Sequence, residues 1–213
     1  MSSMRAPPLY RHGQVKWLRI GLGVLILLAP QVHAVITFFD AGSRSSVTMT
    51  VGSPQRNRIN SVDFTVTNSN LRQAPAPVTG IPSSDTPATT VANGVSVTVE
   101  AVVPWWESNT WNQLDLHVDS SVALSCVAGS GCGSTLIPFS EISWRTYNKD
   151  AQYANFEIQD GRFDGSSNQK LFDFSFRGGS LRFSNDLVFS YDNDTLYPAG
   201  HYRGQVTYTV SMP

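Results

Sequence analysis

Five segments of this chain alternate apolar and polar residues with a period of two. Val47, Met49 and Val51 are interleaved with Thr48 and Thr50, and Val62, Phe64 and Val66 with Asp63, Thr65 and Thr67. Val95, Val97, Val99 and Ala101 alternate with Ser96, Thr98 and Glu100, while Leu114, Leu116 and Val118 alternate with Asp115, His117 and Asp119. Near the end, Val206, Tyr208, Val210 and Met212 alternate with Gln205, Thr207, Thr209 and Ser211. Successive side chains of an extended chain point to opposite faces, so each segment has one dry face and one wet face. No long window carries the stripe that a 3.6-residue helical repeat would leave. The pattern predicts an all-β chain of about nine to eleven strands, folded as an antiparallel β-sandwich.

The first 34 of the 213 residues read differently from the rest. They carry Arg5, Arg11, Lys16 and Arg19 and no acidic residue, followed by the apolar run from Ile20 to Ala29, then Pro30 and Val32-His33-Ala34. A basic stretch, an apolar run of about ten residues and a small residue before the break are the marks of a secretory leader, with cleavage expected after Ala34. A membrane anchor is the other reading, but a spanning helix needs about 20 apolar residues, and Pro30 ends this run early. Without the leader, 11 basic side chains stand against 16 acidic ones, a formal charge of −5. Such a balance disfavours nucleic acid as a partner, because phosphate binding requires a concentration of Lys and Arg. Residues 35–213 read as a single β-sandwich domain. A Pro-rich loop at about 72–90 falls within that domain, since only three candidate strands precede it, too few to stand alone. After cleavage no segment is long and apolar enough to span a bilayer.

Export also directs the reading of Cys126 and Cys132. In an oxidising compartment they are expected to form a disulfide, with Gly129, Gly131 and Gly133 allowing the sharp turn between them. So short a loop removes only about 2 kcal/mol of unfolded-state entropy, which points to a local brace. Two thiols without a nearby His make a poor zinc site.

Residues capable of chemistry are few. His117 lies between Asp115 and Asp119 on the wet face of its segment, an arrangement that suits a general base or a metal ligand but equally a solvated polar stripe. His201 falls in a turn. There is no Gly-x-Ser-x-Gly elbow, and nothing selects a catalytic pair among Glu100, Glu107, Asp115 and Asp119. Asp192-Asn193-Asp194 begins like a calcium loop but lacks its glycine and its distant glutamate, so turn chemistry is expected, and Asn193-Asp194-Thr195 is also a glycosylation sequon. No cofactor motif is present, and no enzymatic activity is expected. Trp105, Trp106 and Trp111 are candidate glycan contacts, because Trp faces with nearby Asn and Glu suit a sugar ring. The alternative is that they cover a core edge. Trp105 and Trp106 cannot both face the core of one strand, since neighbours point to opposite sides.

The C-terminal stretch Leu187 to Pro213, with Pro198-Ala199-Gly200-His201-Tyr202-Arg203-Gly204 leading into a final alternating segment, resembles the close of bacterial chaperone–usher fimbrial subunits. Residues 136–145 and 163–169 are also similar to fimbria-associated secreted proteins. The resemblance implies an immunoglobulin-like sandwich that lacks or exchanges an edge strand. It further implies a periplasmic chaperone and neighbouring fimbrial subunits as partners. Val206, Tyr208, Val210 and Met212 would form the inward row of the strand that those partners pair with, and Val35, Ile36, Phe38 and Phe39 would supply a donor arm. The expected location is the periplasm in transit and then a cell-surface fimbrium. Wet faces rich in Ser, Thr and Asn suit such pairing, because edges that avoid partners usually carry charge. The expected role is therefore a non-enzymatic structural or adhesive subunit of a surface fibre, with a secreted carbohydrate-binding module as the alternative and surface glycans as further partners.

Overall fold

The computed structural model describes residues 31–35, 45–52, 60–67, 70, 76–84, 86, 89–104, 110–149, 156–177 and 179–212. Among them are fourteen strands, a 3-10 turn at Phe139–Glu141 and no α-helix. One sheet contains β1 (Gln31–Val35), β3 (Asn60–Asp63), β5 (Ile81–Pro82), β7 (Trp111–Asp119), β8 (Leu124–Cys126), β9 (Leu136–Ile137), β12 (Gln169–Arg177) and β14 (Tyr202–Ser211). Its main order is β12-β7-β14-β1-β3-β5, with β8 on β14 and β9 on β8. The second contains β2 (Ser46–Val51), β4 (Val78–Thr79), β6 (Val95–Val103), β10 (Ile142–Tyr147), β11 (Gly161–Arg162) and β13 (Gly179–Tyr191), in the order β11-β10-β13-β6-β2 with β4 on β13. The pairings are antiparallel except for β1 with β14, which is parallel. The protein is an all-β sandwich of the immunoglobulin-like kind.

The alternation in the sequence becomes the inside and outside of the sandwich. Val95, Val97, Val99, Ala101 and Val103 of β6 are buried, as are Leu114, Leu116 and Val118 of β7. From β14 come Val206, Tyr208 and Val210, and from β13 Leu187 and Phe189, so that both sheets contribute to one continuous core. The core tryptophan is Trp144, whose ring packs against Phe163 with centroids 5.0 Å apart while its Nε1 donates to the carbonyl of Gln159 at 2.8 Å. That bond satisfies the one polar atom a buried indole carries.

The stretch between β3 and β6, and the irregular region after β10, contribute more than a loop reading implies. Short β4 and β5 fasten the Pro-rich region to β13 and β3, one to each sheet. Ile158 and Phe163 lie in the core, and Phe163 packs against Phe139 and Phe189 as well as Trp144. Leu116 is fully buried in the centre of β7. Leu116→Ala should therefore cost about 2–5 kcal/mol, read as a lower denaturant midpoint with an unchanged slope.

Candidate strand-pairing site

β14 has partners along both edges. β7 takes one of them from Thr207↔Asp119 to Ser211↔Asp115, and β8 continues the same edge at Arg203↔Ser125 and Tyr202↔Cys126. β1 takes the opposite edge from Gln31↔Arg203 to Val35↔Thr207. On its far side β1 pairs with β3, from Gln31↔Asp63 to Ala34↔Asn60. Among the described residues, β1 is thus the strand that joins the β14 half of this sheet to β3 and β5. The inward row expected from the sequence is buried: Val206, Tyr208 and Val210 of β14 and Met212 just beyond it are 2%, 2%, 0% and 9% exposed. Burial alone pushes the Tyr208 phenol above its ordinary range. Of the expected donor arm, Val35 is the last residue of β1, while Ile36, Phe38 and Phe39 lie outside the described residues.

The turn into β14 is built against the disulfide. Cys126 and Cys132 are bonded, with Cα atoms 5.7 Å apart, and Gly129, Gly131 and Gly133 between and beside them all have positive φ. A Cβ on Gly200 would lie 2.5 Å from Cys132 Sγ and 2.7 Å from Cys132 Cβ, so only glycine lets the turn pack there. The N–H of Val127 donates to the carbonyl of His201 at 2.7 Å, and the N–H of His201 donates to Ser130 Oγ at 3.1 Å. Tyr202 folds back so that its hydroxyl donates to the carbonyl of Pro198 at 2.9 Å, the geometry of a tyrosine corner. Gly204 lies under Leu124 and the ring of Phe139, both 2.9 Å from where a Cβ would be. The Pro-Ala-Gly-x-Tyr-x-Gly sequence therefore answers to three contacts: a disulfide, a carbonyl and an aromatic ring. The brace expected from Cys126 and Cys132 positions the start of the last strand as well as its own turn.

Other candidates fall elsewhere. Trp111 begins β7 and is 71% exposed, whereas Trp105 and Trp106 lie outside the described residues. The wet face of β7 is cross-linked: Lys170 Nζ lies 2.9 Å from Asp173 and 3.7 Å from Asp115, and Gln113 donates to Asp115 at 3.0 Å. His117 Nδ1 lies 3.5 Å from the carbonyl of Asn168. Asp192 accepts from Ser143 Oγ at 2.7 Å and pairs with Arg162 at 2.9 Å. Among the described residues there is no group of three or more His, Cys, Asp or Glu placed to hold a metal. Asn193, in the sequon, is 5% exposed with φ of 55°, and its amide donates to the carbonyls of Asn70 and Ala76 at 2.9 and 3.3 Å. That amide closes a loop and is not presented for glycan attachment in the folded protein. The sequence reading passed over Gly200, Tyr202 and Gly204 as individual contacts; the Pro-to-Tyr spacing was their only local signal.

The loop between β13 and β14 also brings Asp194 against Glu141 of the 3-10 turn. Tyr197 donates to Glu141 Oε1 at 3.1 Å, and Asp194 lies within hydrogen-bonding reach of the same side chain. Burial, and then the neighbouring Asp194, hold Glu141 above the usual carboxylate range. Comparison with protein-family models and with curated proteins finds no match to this chain.

Two predictions follow from this geometry. Gly204→Ala should overpack Leu124 and Phe139 and cost about 1–3 kcal/mol, measured by denaturant unfolding. A carboxyl whose pKa is raised on folding binds its proton more tightly in the folded state. Its stabilising effect is therefore complete below the unfolded pKa and is lost as pH rises through the folded one. Asp119, held low by the Ser121 hydroxyl and N–H, acts in the opposite sense and loses its contribution as pH falls. Glu141→Gln should accordingly remove a contribution that raises the thermal midpoint as pH falls towards the ordinary carboxylate range, read as the pH dependence of the midpoint difference between parent and variant.

Proposed function

We propose that this chain is an exported structural subunit of a bacterial surface fibre, assembled by strand complementation at β14. The observation that carries the proposal is the position of β1. Four of its five residues, Gln31 to Ala34, precede the expected cleavage point, yet they form the ladder between β14 and β3. Removal of a leader ending at Ala34 takes that strand away and opens two edges at once, one on each side of the gap. Unpaired N–H and C=O groups facing such a gap are a template for a strand from another chain. Backbone bonds supply affinity, and alternate side chains of the incoming strand cover the core beneath. A periplasmic chaperone fills the gap in transit, and a neighbouring subunit fills it in the fibre.

The disulfide-braced turn supports this reading, because it holds the beginning of β14 in place while one of its edges is empty. The test is to determine the N-terminus of the exported protein by mass spectrometry and to examine the chain beginning at Val35 alone and with a fimbrial chaperone. The expected result is a start at Val35, a chain that aggregates or melts without cooperativity by itself, and a stable one-to-one complex with the chaperone. A cooperative, soluble monomer beginning at Val35 would overturn the proposal.

A further inference from the structure

A cleft of about 340 Å³ opens beside β13, lined by Asn148, Lys149, Phe156, Glu157, Phe174 and residues 181–184. Neighbouring side chains of a strand face opposite ways, so a cleft touched by four consecutive residues runs along the edge of the strand. The ladders among the described residues stop short on that edge. β6 pairs with β13 from Gly179 to Leu187, but β10 reaches only from Asp186 to Tyr191 on the other side. Among the described residues, 179–185 therefore have no strand partner on the β10 side. The Ser184 hydroxyl is engaged by Ser96 and Thr98 at 3.1 and 2.8 Å, which leaves its main chain to the cleft.

The cleft combines aromatic faces with polar groups of both signs. Phe156 is 53% exposed and stands edge-on to Phe174, with ring centroids 5.7 Å apart. Glu157, only 5% exposed, accepts a hydrogen bond from the fully buried amide of Asn185. Asn148 is held by donation to Thr90 Oγ1 at 2.6 Å and to Asp186. Two cations border the opening. Lys149 is bonded to Gln159 Oε1 at 3.0 Å, and exposed Arg182 stands opposite Glu100 in the β13–β6 ladder without forming an ion pair among the described residues.

We propose that this cleft binds an acidic monosaccharide unit of a surface glycan, with a C–H face of the sugar on Phe156 and its carboxylate toward Arg182 and Lys149. Sugar hydroxyls both donate and accept, as the alternating N–H and C=O groups of an open strand edge require. The volume is in the range of small-ligand sites, and an apolar floor with a few convergent polar groups is their usual construction. Arg182 and Lys149 outnumber the one lining carboxylate, Glu157, which is turned to Asn185, and a guanidinium grips a carboxylate through paired bonds. An extended peptide fits less well, because the open edge stops at Asp186, where Tyr147 already pairs. Binding here uses no residue of β14 and is independent of strand complementation.

The test is ligand-observed NMR on the exported protein, in whatever assembly it is recovered, with D-glucuronate, N-acetylneuraminate, D-glucose and a short acidic peptide. Both acids should bind, and glucose should bind about tenfold more weakly or not at all. Arg182→Gln should weaken the acids by about tenfold without moving the thermal midpoint, and Phe156→Ala should weaken acids and glucose alike. Since both side chains are exposed, the midpoint shows directly whether either variant has lost its fold. Absence of binding by both acids, equal binding of glucose, binding that neither substitution changes, or preference for the peptide would each overturn the proposal.

Discussion

The two hydrogen-bond ladders on β14 hold the first sheet together, and the rest of the sandwich is arranged around them. β7 and β8 run along one edge and β1 along the other, while Val206, Tyr208 and Val210 enter the core that both sheets share. β14 is the last strand among the described residues, and its parallel partner β1 comes from their other end. The sheet therefore closes only through contacts distant in sequence, which carry a large loop-closure cost before they return any stability. The turn at Pro198 to Tyr202 reduces what remains to be ordered. Once the disulfide has formed, Gly200 can seat on it and Tyr202 can bond back to Pro198, so β14 begins from a defined point.

The loops owe their shape to buried polar side chains. Asn193 draws the carbonyls of Asn70 and Ala76 to one amide, and Ser120, 1% exposed, receives the N–H of Gly165 at 3.2 Å while its own N–H donates to the carbonyl of Ser166 at 2.9 Å. Asn185 reaches Glu157 in the same manner. Each ties down a connecting segment, and each would leave an unpaired buried group if its partner were lost. The candidate sites divide along this line. The edge of β14 depends on main-chain pairing, whereas the cleft beside β13 depends on side chains brought in by the segment around Phe156 and Glu157.

The long strands were legible because one side of each is buried. Where a strand has only two residues, as in β4 and β5, there is no period to read, and the prolines around them suggested a loop. Trp144 was not distinguished from the more conspicuous Trp105, Trp106 and Trp111, because the alternation around it is short and its decisive contact, the carbonyl of Gln159, lies in an irregular segment. The sequon illustrates the opposite case: its three residues are plain in the sequence, but the use of the Asn193 amide is set by the carbonyls of Asn70 and Ala76, more than a hundred residues away.

By itself, the amino-acid sequence determined an all-β sandwich, the inward row of its last strand and a disulfide between two nearby cysteines. Those properties follow from side-chain alternation and from short-range spacing, which need no knowledge of what lies opposite. Only the tertiary structure decided that β1 lies between β14 and β3, that the disulfide bears on Gly200, and that the β10 ladder reaches no further along β13 than Asp186 among the described residues. Each of these depends on register between segments far apart in the chain, and register is selected by the packing of the whole sheet rather than by any one segment.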